Sequence, residues 1–202
     1  MILFDVGAHH GQDSLNITQR NSDVICYAFE PTPELARLLR TAAEVRNMKD
    51  RYHVYEHAIS DFNGEADFHM VEGDTGSASL NEFADNLSET WPGRTDFAVR
   101  ASKKVNVYRL DTWLPIFASE VTQIDHLHID AQGCDLAVLK GLGDKISIVQ
   151  SGVVEVPQED NLRLYKGHHT KQEALDFLEQ NGFVIDKVIS QVNEYNLYFV
   201  RK

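Results

Sequence analysis

Residues 1–11, MILFDVGAHHG, and residues 24–33, VICYAFEPTP, decide the fold. The first stretch predicts a strand that ends in a glycine turn, Gly7 to Gly11, with a helix after it. The second stretch is an uninterrupted apolar run, typical of a central strand, and it ends at Glu30. A strand, a glycine turn and a helix form a nucleotide site, because glycine lets a ligand approach the backbone and the first helical N–H groups are free.

The carboxylate at the end of the second strand suits a ribose, since an acid about twenty residues beyond the turn can accept hydrogen bonds from the ribose hydroxyls. Glu30 has this position, and Asp5 can orient the turn or bind an amino group. The second glycine of the G-x-G-x-x-G fingerprint, which a pyrophosphate requires, is absent. The pattern therefore favours S-adenosylmethionine, which has no phosphate. Helix capping and a surface position are the alternative roles of Asp5 and Glu30.

Apolar runs alternate with helical segments along the chain, which predicts an α/β fold with a mostly parallel sheet and helices on both faces. The expected strands are Ile2–Val6 and residues 24–29, 52–59, 104–110, 127–131, 147–156, 183–189 and 197–200; the expected helices are Gln12–Arg20, residues 136–142 and segments that begin at Pro33 and after Thr170. A short polar turn joins the last two strands, which predicts that they are antiparallel.

Several local signals refine this pattern. Thr32 is expected to cap the second helix, and Thr170 begins a capping box that ends at Glu173. Asn63-Gly64 predicts a two-residue hairpin. The buried face of the second helix is expected to contain Leu35, Leu38, Leu39 and Ala42.

Residues 71–100 are rich in Gly, Ser, Asn and Asp, with scattered Phe83, Trp91 and Phe97. A long irregular segment in a compact domain is typically a functional loop or a mobile insertion. We interpret it as a lid that forms part of an acceptor pocket, within a single domain over residues 1–202.

The composition excludes several classes of protein. The net charge of −12 argues against a nucleic-acid partner and against an anionic membrane surface, since both are bound through Lys and Arg. No apolar run has the roughly 18 residues of a membrane helix, and the N-terminus lacks the features of a signal peptide, so a cytoplasmic protein is expected. Cys26 and Cys134 are expected to be free. Neither H-x₃-H nor HExxH is present, so no metal is expected.

Six blocks of the chain, taken in order, resemble the FkbM family of methyltransferases. They are Asp5 to Gly11 with Ser14, Phe29 to Pro33, Ala58 to Asp61 with Gly64 and Phe68, Gly76 to Leu80, Leu110 to Leu114, and His128 to Gly133 followed by Leu136 and Val138 to Gly141. Each block alone is a weak signal, whereas the ordered set is specific and covers most of the chain.

The resemblance implies a Rossmann-like class I methyltransferase fold, with a seven-stranded sheet whose last strand is reversed. It also implies methyl transfer from S-adenosylmethionine, usually to a hydroxyl. The residues implied at the cofactor are Asp5, Gly7, Ala8, His9, Gly11, Ser14, Glu30, Pro31, Ile59, Ser60, Asp130 and Gln132. The chain departs from the family pattern at His9, His128, Gln132 and Asp135, where the family usually has Asn, Lys, Glu and Glu.

Asp130, Glu155 and His128 are the candidates for the general base that a hydroxyl nucleophile requires. Asp130 and Glu155 lie near the ends of predicted strands, where open α/β sheets bind ligands. His128 shares a strand face with Asp130, although hydrogen-bonded packing is the more common role of such a histidine. The doublet His168-His169 follows Glu155 and could border the acceptor site, but it is interpreted as a solvated loop.

The sequence supports an O-methyltransferase that acts on a sugar, a glycan or a secondary metabolite, with an N-acceptor as a variant. Two alternatives remain open. One is a binding module that has kept the fold and lost catalysis. The other is a nicotinamide-dependent oxidoreductase, against which the incomplete glycine fingerprint counts.

Overall fold

The computed structural model describes residues 1–71, 75–93 and 99–202. The strands are β1 (Ile2–Val6), β2 (Ile25–Phe29), β3 (Tyr52–Tyr55), β4 (Ala58–Ile59), β5 (Gly64–Val71), β6 (Val99–Tyr108), β7 (His126–Ile129), β8 (Ser151–Pro157), β9 (Phe183–Ser190) and β10 (Glu194–Arg201). The α-helices are α1 (Gln12–Arg20), α2 (Pro33–Val45), α3 (Leu87–Thr90), α4 (Leu110–Phe117), α5 (Asp135–Lys140) and α6 (Lys171–Gln180).

Seven strands form one sheet in the order β3-β2-β1-β7-β8-β10-β9. Neighbouring strands from β3 to β8 are parallel, and β10 is antiparallel to β8 and to β9. The predicted α/β fold, with a seven-stranded sheet and a reversed last strand, is therefore confirmed.

Helices cover both faces of the sheet, as expected. On one face, Phe4 and Ile129 pack with Trp113 of α4, Leu139 of α5 and Leu178 of α6. On the other face, α1 and α2 pack on β1 and β2 through Leu15, Leu39 and Ala43. The two apolar layers fix the positions at which the parallel strands end, and those ends carry the polar residues discussed below.

The strand predicted over residues 52–59 is divided between two sheets. Its first half, β3, pairs with β2 and stops at Tyr55, whose carbonyl accepts a hydrogen bond from Glu30 N (3.0 Å). Its second half, β4, joins a separate sheet of order β4-β6-β5. The pairing partner, Val107-Tyr108, lies about fifty residues further along the chain, so local sequence contains no signal for the division.

The hairpin predicted at Asn63-Gly64 is wrong. The strands on either side of it, β4 and β5, do not pair, because β6 lies between them. The Asn63 side chain instead accepts hydrogen bonds at the start of α4, from Arg109 N (3.0 Å) and Thr112 Oγ1 (2.7 Å). A turn residue has thus been used to satisfy a helix N-terminus.

Two predictions about α2 also need correction. Thr32 precedes the helix, but its side chain forms no capping hydrogen bond. Leu38 is 54% exposed, and the buried face consists of Ala36, Leu39 and Ala43. The capping box of α6 is confirmed, since Thr170 Oγ1 accepts from Glu173 N (3.1 Å) and Glu173 Oε2 accepts from Thr170 N (2.7 Å).

Other element boundaries differ by a few residues. The strand expected at residues 104–110 is longer at its start and gives way to α4 at Leu110. The strand expected at residues 147–156 begins at Ser151, after a 3-10 segment over Gly143–Ile148. Both cysteines are free and buried, and in the described ranges no helix is long and apolar enough to cross a membrane.

The segment predicted as a lid is described from residue 75 to residue 93. It contains a short 3-10 turn over Thr75–Ser77 and the helix α3. It is joined to the chain before α6 by hydrogen bonds from Ala84 N to Leu164 O (2.9 Å) and from Lys166 N to Glu82 O (2.8 Å). Residues 72–74 and 94–98, with Phe97, lie outside the described ranges.

Candidate functional site

A cavity of about 530 Å³ lies at the carboxyl edge of the large sheet, where the parallel strands end. It is lined by Val6, Gly7, His9, Phe29, Glu30, Pro31, Thr32, His57, Ala58, Ile59, Phe68, Gly76, Ala78, Leu80, Asp130, Ala131, Gln132 and Cys134. An apolar cavity with a few convergent polar groups at this edge is the usual form of a ligand site in an open α/β fold.

The turn after β1 holds three strand ends together. Gly7 N and Ala8 N both donate to Phe29 O, at 3.0 Å each, which ties the turn to the end of β2. Gly7 has a φ of +81°, and a Cβ atom there would lie 1.9 Å from Asp130 O, beyond the end of β7. Only glycine fits such a position, because both the backbone conformation and the space exclude a side chain.

Glu30 lies in this cavity with both carboxylate oxygens already engaged. Its Oε2 accepts from His9 N (2.9 Å), and its Oε1 accepts from Thr32 N (2.8 Å). Burial raises the pKa of Glu30, while these hydrogen bonds lower it. Each carboxylate oxygen has a second lone pair, so Glu30 can accept further bonds from a diol such as a ribose.

His57 contributes a polar edge to the same cavity. Trp113 Nε1 donates to His57 Nδ1 (3.1 Å), and burial lowers the pKa of the imidazole, so the ring is neutral and its proton lies on Nε2. His57 is therefore a fixed donor on the cavity wall. The role of His57 could not be identified from the sequence, because its tautomer depends on a tryptophan 56 positions away.

The turn after β7 brings two candidate residues together. Gln132 has a φ of +50°, and its side-chain nitrogen donates to Asp130 Oδ1. Its side-chain oxygen accepts from Tyr165 Oη (2.7 Å), and its carbonyl accepts from Ser79 Oγ (2.6 Å). Gln132 thus connects Asp130 to the segment at residues 75–83 and to the chain before α6.

Asp130 and three other buried or half-buried carboxylates form a cluster. Burial raises the pKa of Asp130 itself, and Gln132 and His128 oppose this shift. Burial first, and then the charge of Asp130, raise the pKa of Glu155 to about 10, that of Asp135 to about 8 and that of Glu194 to about 7. Glu155, whose pKa lies furthest above its ordinary value, is therefore a neutral acid at physiological pH, chiefly because it is buried.

His128 forms an ion pair with Asp5, with 2.8 Å between Nδ1 and Oδ1. Burial alone would lower the pKa of His128, but the hydrogen bond and the charge of Asp5 raise it to about 9. Both residues line a groove of about 590 Å³ with His126, Ser14 and Tyr198, on the sheet face that α1 partly covers. The charged imidazole lies close enough to Asp130 to affect its pKa.

The predicted site residues fall into two groups. Gly7, His9, Glu30, Pro31, Ile59, Asp130 and Gln132 line the cavity. Asp5, Ala8, Gly11, Ser14, Ser60, His128 and Glu155 are not part of its lining. Ser14 Oγ is paired with Tyr52 Oη (2.8 Å) under α1, and Ser60 faces a neighbouring pocket.

Sequence reasoning missed Tyr165 and Glu194 as well as His57. Tyr165 and Glu194 lie outside the six family blocks, and their positions follow from contacts between distant segments. Within the ranges that the structure describes, no group of three or more His, Cys, Asp or Glu side chains has the arrangement of a metal site.

Comparisons with known proteins agree with this architecture. A family model described as the methyltransferase FkbM domain matches residues 5–185. A curated relative, the 2-O-methyltransferase NoeI of Sinorhizobium fredii, is 30% identical over 183 residues, which are 88% of this chain and 70% of that protein.

Two solved structures share the fold. Methyltransferase FkbM from Methylobacillus flagellatus has a TM-score of 0.58 at 13% identity, and the match covers 98% of this chain and 42% of that one. TrmK of M. capricolum, in complex with S-adenosylhomocysteine, has a TM-score of 0.51 at 12% identity, with 100% and 62% covered. The chain thus spans less than two thirds of either solved protein.

Proposed function

The chain belongs to the FkbM family of S-adenosylmethionine-dependent methyltransferases, and from this premise we propose that it methylates a hydroxyl of a sugar, a glycan or a secondary metabolite. The observation that carries the proposal is the position of Asp130. It lines the cavity and also lies among the buried carboxylates, so a methyl donor in the cavity and a hydroxyl acceptor would meet beside it. The name of the relative NoeI, a 2-O-methyltransferase, supports an oxygen acceptor.

The residues that line the cavity suit the cofactor. Glu30 would hold the ribose hydroxyls, with His9 and Pro31 beside it, and Ile59 would pack near the adenine. Gly7, Ala8 and Gly11 would shape the turn, while Asp130 and Gln132 would face the methionine end. When bound, S-adenosylmethionine supplies a methyl group on a sulfonium centre, which is electrophilic. The chain's task is then to align the acceptor oxygen and to accept its proton.

We assign the role of general base to Asp130. Burial raises its pKa toward the range in which a base works at neutral pH, while the hydrogen bond from Gln132 and the charge of His128 oppose this shift. Gln132 fixes its orientation through a hydrogen bond. Glu155 would hold the acceptor as a neutral hydrogen-bond donor, a role that a carboxylic acid can have only while it is protonated.

In this proposal, supporting roles belong to four predicted residues: Asp5, Ser14, Ser60 and His128. His128 is engaged by Asp5 and protonated at neutral pH, so it would tune the charge of Asp130 rather than remove a proton. Ser14 would hold α1 against β3 through Tyr52, and Ser60 would keep β4 in place.

The segment at residues 75–93 would cover the acceptor side of a single catalytic domain. Gly76, Ala78 and Leu80 already line the cavity, and Ser79 is bound to the turn that carries Gln132. This arrangement supports the lid interpretation, since a wall of small residues can approach a bound ligand closely.

The proposal is tested by calorimetric titration of the purified chain with S-adenosylhomocysteine, with NAD in parallel. We expect one-to-one binding of the thioether and none of NAD; saturable NAD binding would favour an oxidoreductase instead. Transfer of a labelled methyl group from S-adenosylmethionine to a library of sugars, glycans and phenols then identifies the acceptor. Thioether binding without transfer to any acceptor, together with capture of a partner protein, would favour the binding module.

The assignment of the base is tested with the acceptor that the library identifies. Asp130→Asn should lower turnover about a hundredfold or more, because the proton acceptor is lost, while the thermal midpoint changes little. Asp67→Asn is the control, since Asp67 is exposed and paired with Lys104 on the small sheet. Full turnover in Asp130→Asn would exclude Asp130 as the base.

A further inference from the structure

A second pocket lies beside the cofactor cavity and shares Leu80 and Cys134 with it. It encloses about 740 Å³, including its open mouth, which is within the range of small-molecule sites. Its walls are the loop after β4, the turn after β7, one side of α5 and the loop before α6. None of the residues to which the proposed function assigns the cofactor or the proton transfer, such as Glu30, Asp130 and Glu155, lines this pocket.

The feature that marks this pocket as a binding site is the imidazole of His169. The residue is 8% exposed, and its Nε2 atom is buried without a hydrogen-bond partner. A hydrogen bond with the backbone of Glu155 occupies the other side of the ring. The loop is therefore buried at this residue, contrary to the solvated loop that the sequence suggested. A buried polar atom without a partner costs free energy, so a ligand hydroxyl that reached Nε2 from the pocket would gain a hydrogen bond that the folded chain lacks.

The protonation state of His169 decides which ligand suits it. Burial, together with the nearby charge of Lys140, lowers the pKa of His169 to about 4, so the ring is neutral under physiological conditions. Because one ring nitrogen carries the proton that bonds to the Glu155 backbone, Nε2 presents a lone pair. A lone pair accepts from a hydroxyl and repels an anion, which argues against phosphate and sulfate.

The remaining groups around the pocket are balanced in charge and mixed in hydrogen-bonding character. Lys140 and Asp61 contribute one cation and one carboxylate, and Asn81 lines the same wall, where its amide nitrogen donates to Gly133 O (3.2 Å). Phe62 is 41% exposed at the edge and offers an aromatic face. A ligand with hydroxyl groups in several directions and an apolar ring face could form hydrogen bonds with these polar groups and pack on Phe62 at the same time.

We infer that this second pocket is a saccharide subsite, which binds the sugar residues of a glycan acceptor beyond the one that is methylated. The inference rests on the proposed function, since it takes a glycan as the acceptor. Leu80 and Cys134 line both cavities, so the two cavities are adjacent, and an extended acceptor would occupy the second while its methylated sugar lies beside the first. The net charge of −12 disfavours a nucleic acid, the other polymer with mixed polar groups and flat rings.

A glycan array probed with the labelled full chain, saturated with S-adenosylhomocysteine, tests the inference. The glycan that binds is then titrated by calorimetry against single variants. His169→Asn keeps a donor toward the Glu155 backbone and removes the Nε2 acceptor, and Phe62→Ala removes the aromatic face. Each should weaken glycan binding roughly five- to tenfold and leave the affinity for S-adenosylhomocysteine unchanged. Ile116→Ala is the matched control, because Ile116 is 66% exposed on α4 and lies outside both cavities.

The outcomes separate this inference from the proposed function. Thioether binding with no glycan bound on the array would overturn the saccharide subsite and leave the cofactor assignment intact. Glycan binding that is insensitive to His169→Asn and Phe62→Ala would also overturn it. Binding of inorganic phosphate that is lost in Lys140→Ala would replace the saccharide by an anion. Failure to bind S-adenosylhomocysteine would overturn the proposed function itself.

Discussion

At the β1–β2 end of the sheet edge, the buried carboxylate of Glu30 accepts two backbone hydrogen bonds, from His9 and Thr32. At the β7–β8 end, Asp130, Glu155 and Glu194 lie together. Burial raises the pKa of all three, and the nearby Asp130 carboxylate raises the pKa of Glu155 and Glu194 further. We call these the paired half and the crowded half of the edge. The paired half is satisfied before any ligand arrives, whereas the crowded half has unfavourable interactions that a ligand can relieve.

The difference indicates how the two halves recognise their ligands. Backbone N–H groups and a glycine turn define a fixed shape, which suits a cofactor that is the same in every turnover. Buried carboxylates with raised pKa values can change protonation state when a hydroxyl acceptor binds, which suits proton transfer.

Gly7→Ala should cause the largest loss, because it disrupts the junction between the two halves. Its Cβ would lie 1.9 Å from Asp130 O, and its φ is +81°. We expect the free energy of unfolding to fall by about 2–5 kcal/mol and binding of S-adenosylhomocysteine to be lost, as measured by urea denaturation and calorimetry.

Gly93→Ala is a matched control for Gly7→Ala. Gly93 has a nearly identical φ of +83°, but, in the part of the chain that the structure describes and apart from its two neighbours in sequence, no atom lies within 4 Å of the position of its Cβ. It should cost only the backbone strain, about 1–2 kcal/mol. Equal losses in the two variants would mean that the close approach to Asp130 contributes nothing.

The crowded half should dominate the pH dependence of stability. Folding raises the pKa of Glu155 to about 10, that of Glu194 to about 7 and that of His128 to about 9. A group whose pKa is raised by folding contributes its full stability below its unfolded-state pKa. That stability is lost as the pH rises toward the folded-state pKa. The free energy of unfolding should therefore decrease from pH 5 to pH 9. Glu155→Gln should flatten this decrease and add roughly 1–3 kcal/mol at pH 8.

Glu30→Gln is the corresponding change in the paired half. Burial raises the pKa of Glu30 too, but its hydrogen bonds with Thr32 and His9 lower it, so the flattening should be smaller. Denaturation series at several pH values provide the measurement. A profile that depends on Glu30 more than on Glu155 would reverse the proposed contrast.

Glu30→Ala tests the paired half directly. The variant leaves the N–H groups of His9 and Thr32 without their acceptor and removes the proposed partner of the ribose. Affinity for S-adenosylhomocysteine should fall about tenfold in calorimetry, or about 1.4 kcal/mol. Glu34→Ala should bind normally, since Glu34 is exposed and paired with Lys103; equal losses would indicate a general effect of charge.

The same contrast explains how much could be predicted from the sequence. The paired half is local: the glycine turn, Glu30 and the start of α2 lie within two short stretches, and the fold class and family followed from such stretches. The reversed last strand was also predictable, because a short polar turn joins β9 and β10.

The crowded half depends on contacts between distant segments. Glu194 reaches Asp130 and Glu155 only because β10 is inserted beside β8, and no local pattern encodes that insertion. The division of the strand at Tyr55 has the same origin, since the partner of β4 is β6. His57 was missed because Trp113 determines its tautomer.

Tyr165→Phe should have the smallest effect on stability and on cofactor affinity. It tests whether the two halves of the edge are coupled. The Tyr165 hydroxyl contacts Ser77 O (2.9 Å) and Gln132 Oε1 (2.7 Å), so it links the wall of the cavity to the turn that carries Asp130. Its loss should lower the free energy of unfolding by about 1 kcal/mol. Affinity for S-adenosylhomocysteine should fall by less than about fivefold, because the wall keeps its bond from Ser79 to Gln132.

Tyr198→Phe, in the groove on the other face, is the control and should leave that affinity unchanged. If Tyr165→Phe binds the thioether as tightly as the unmodified chain, the bonds of Ser79 and Asn81 to the turn after β7 are enough to hold the wall, and the crowded half can rearrange around an acceptor without disturbing the paired half.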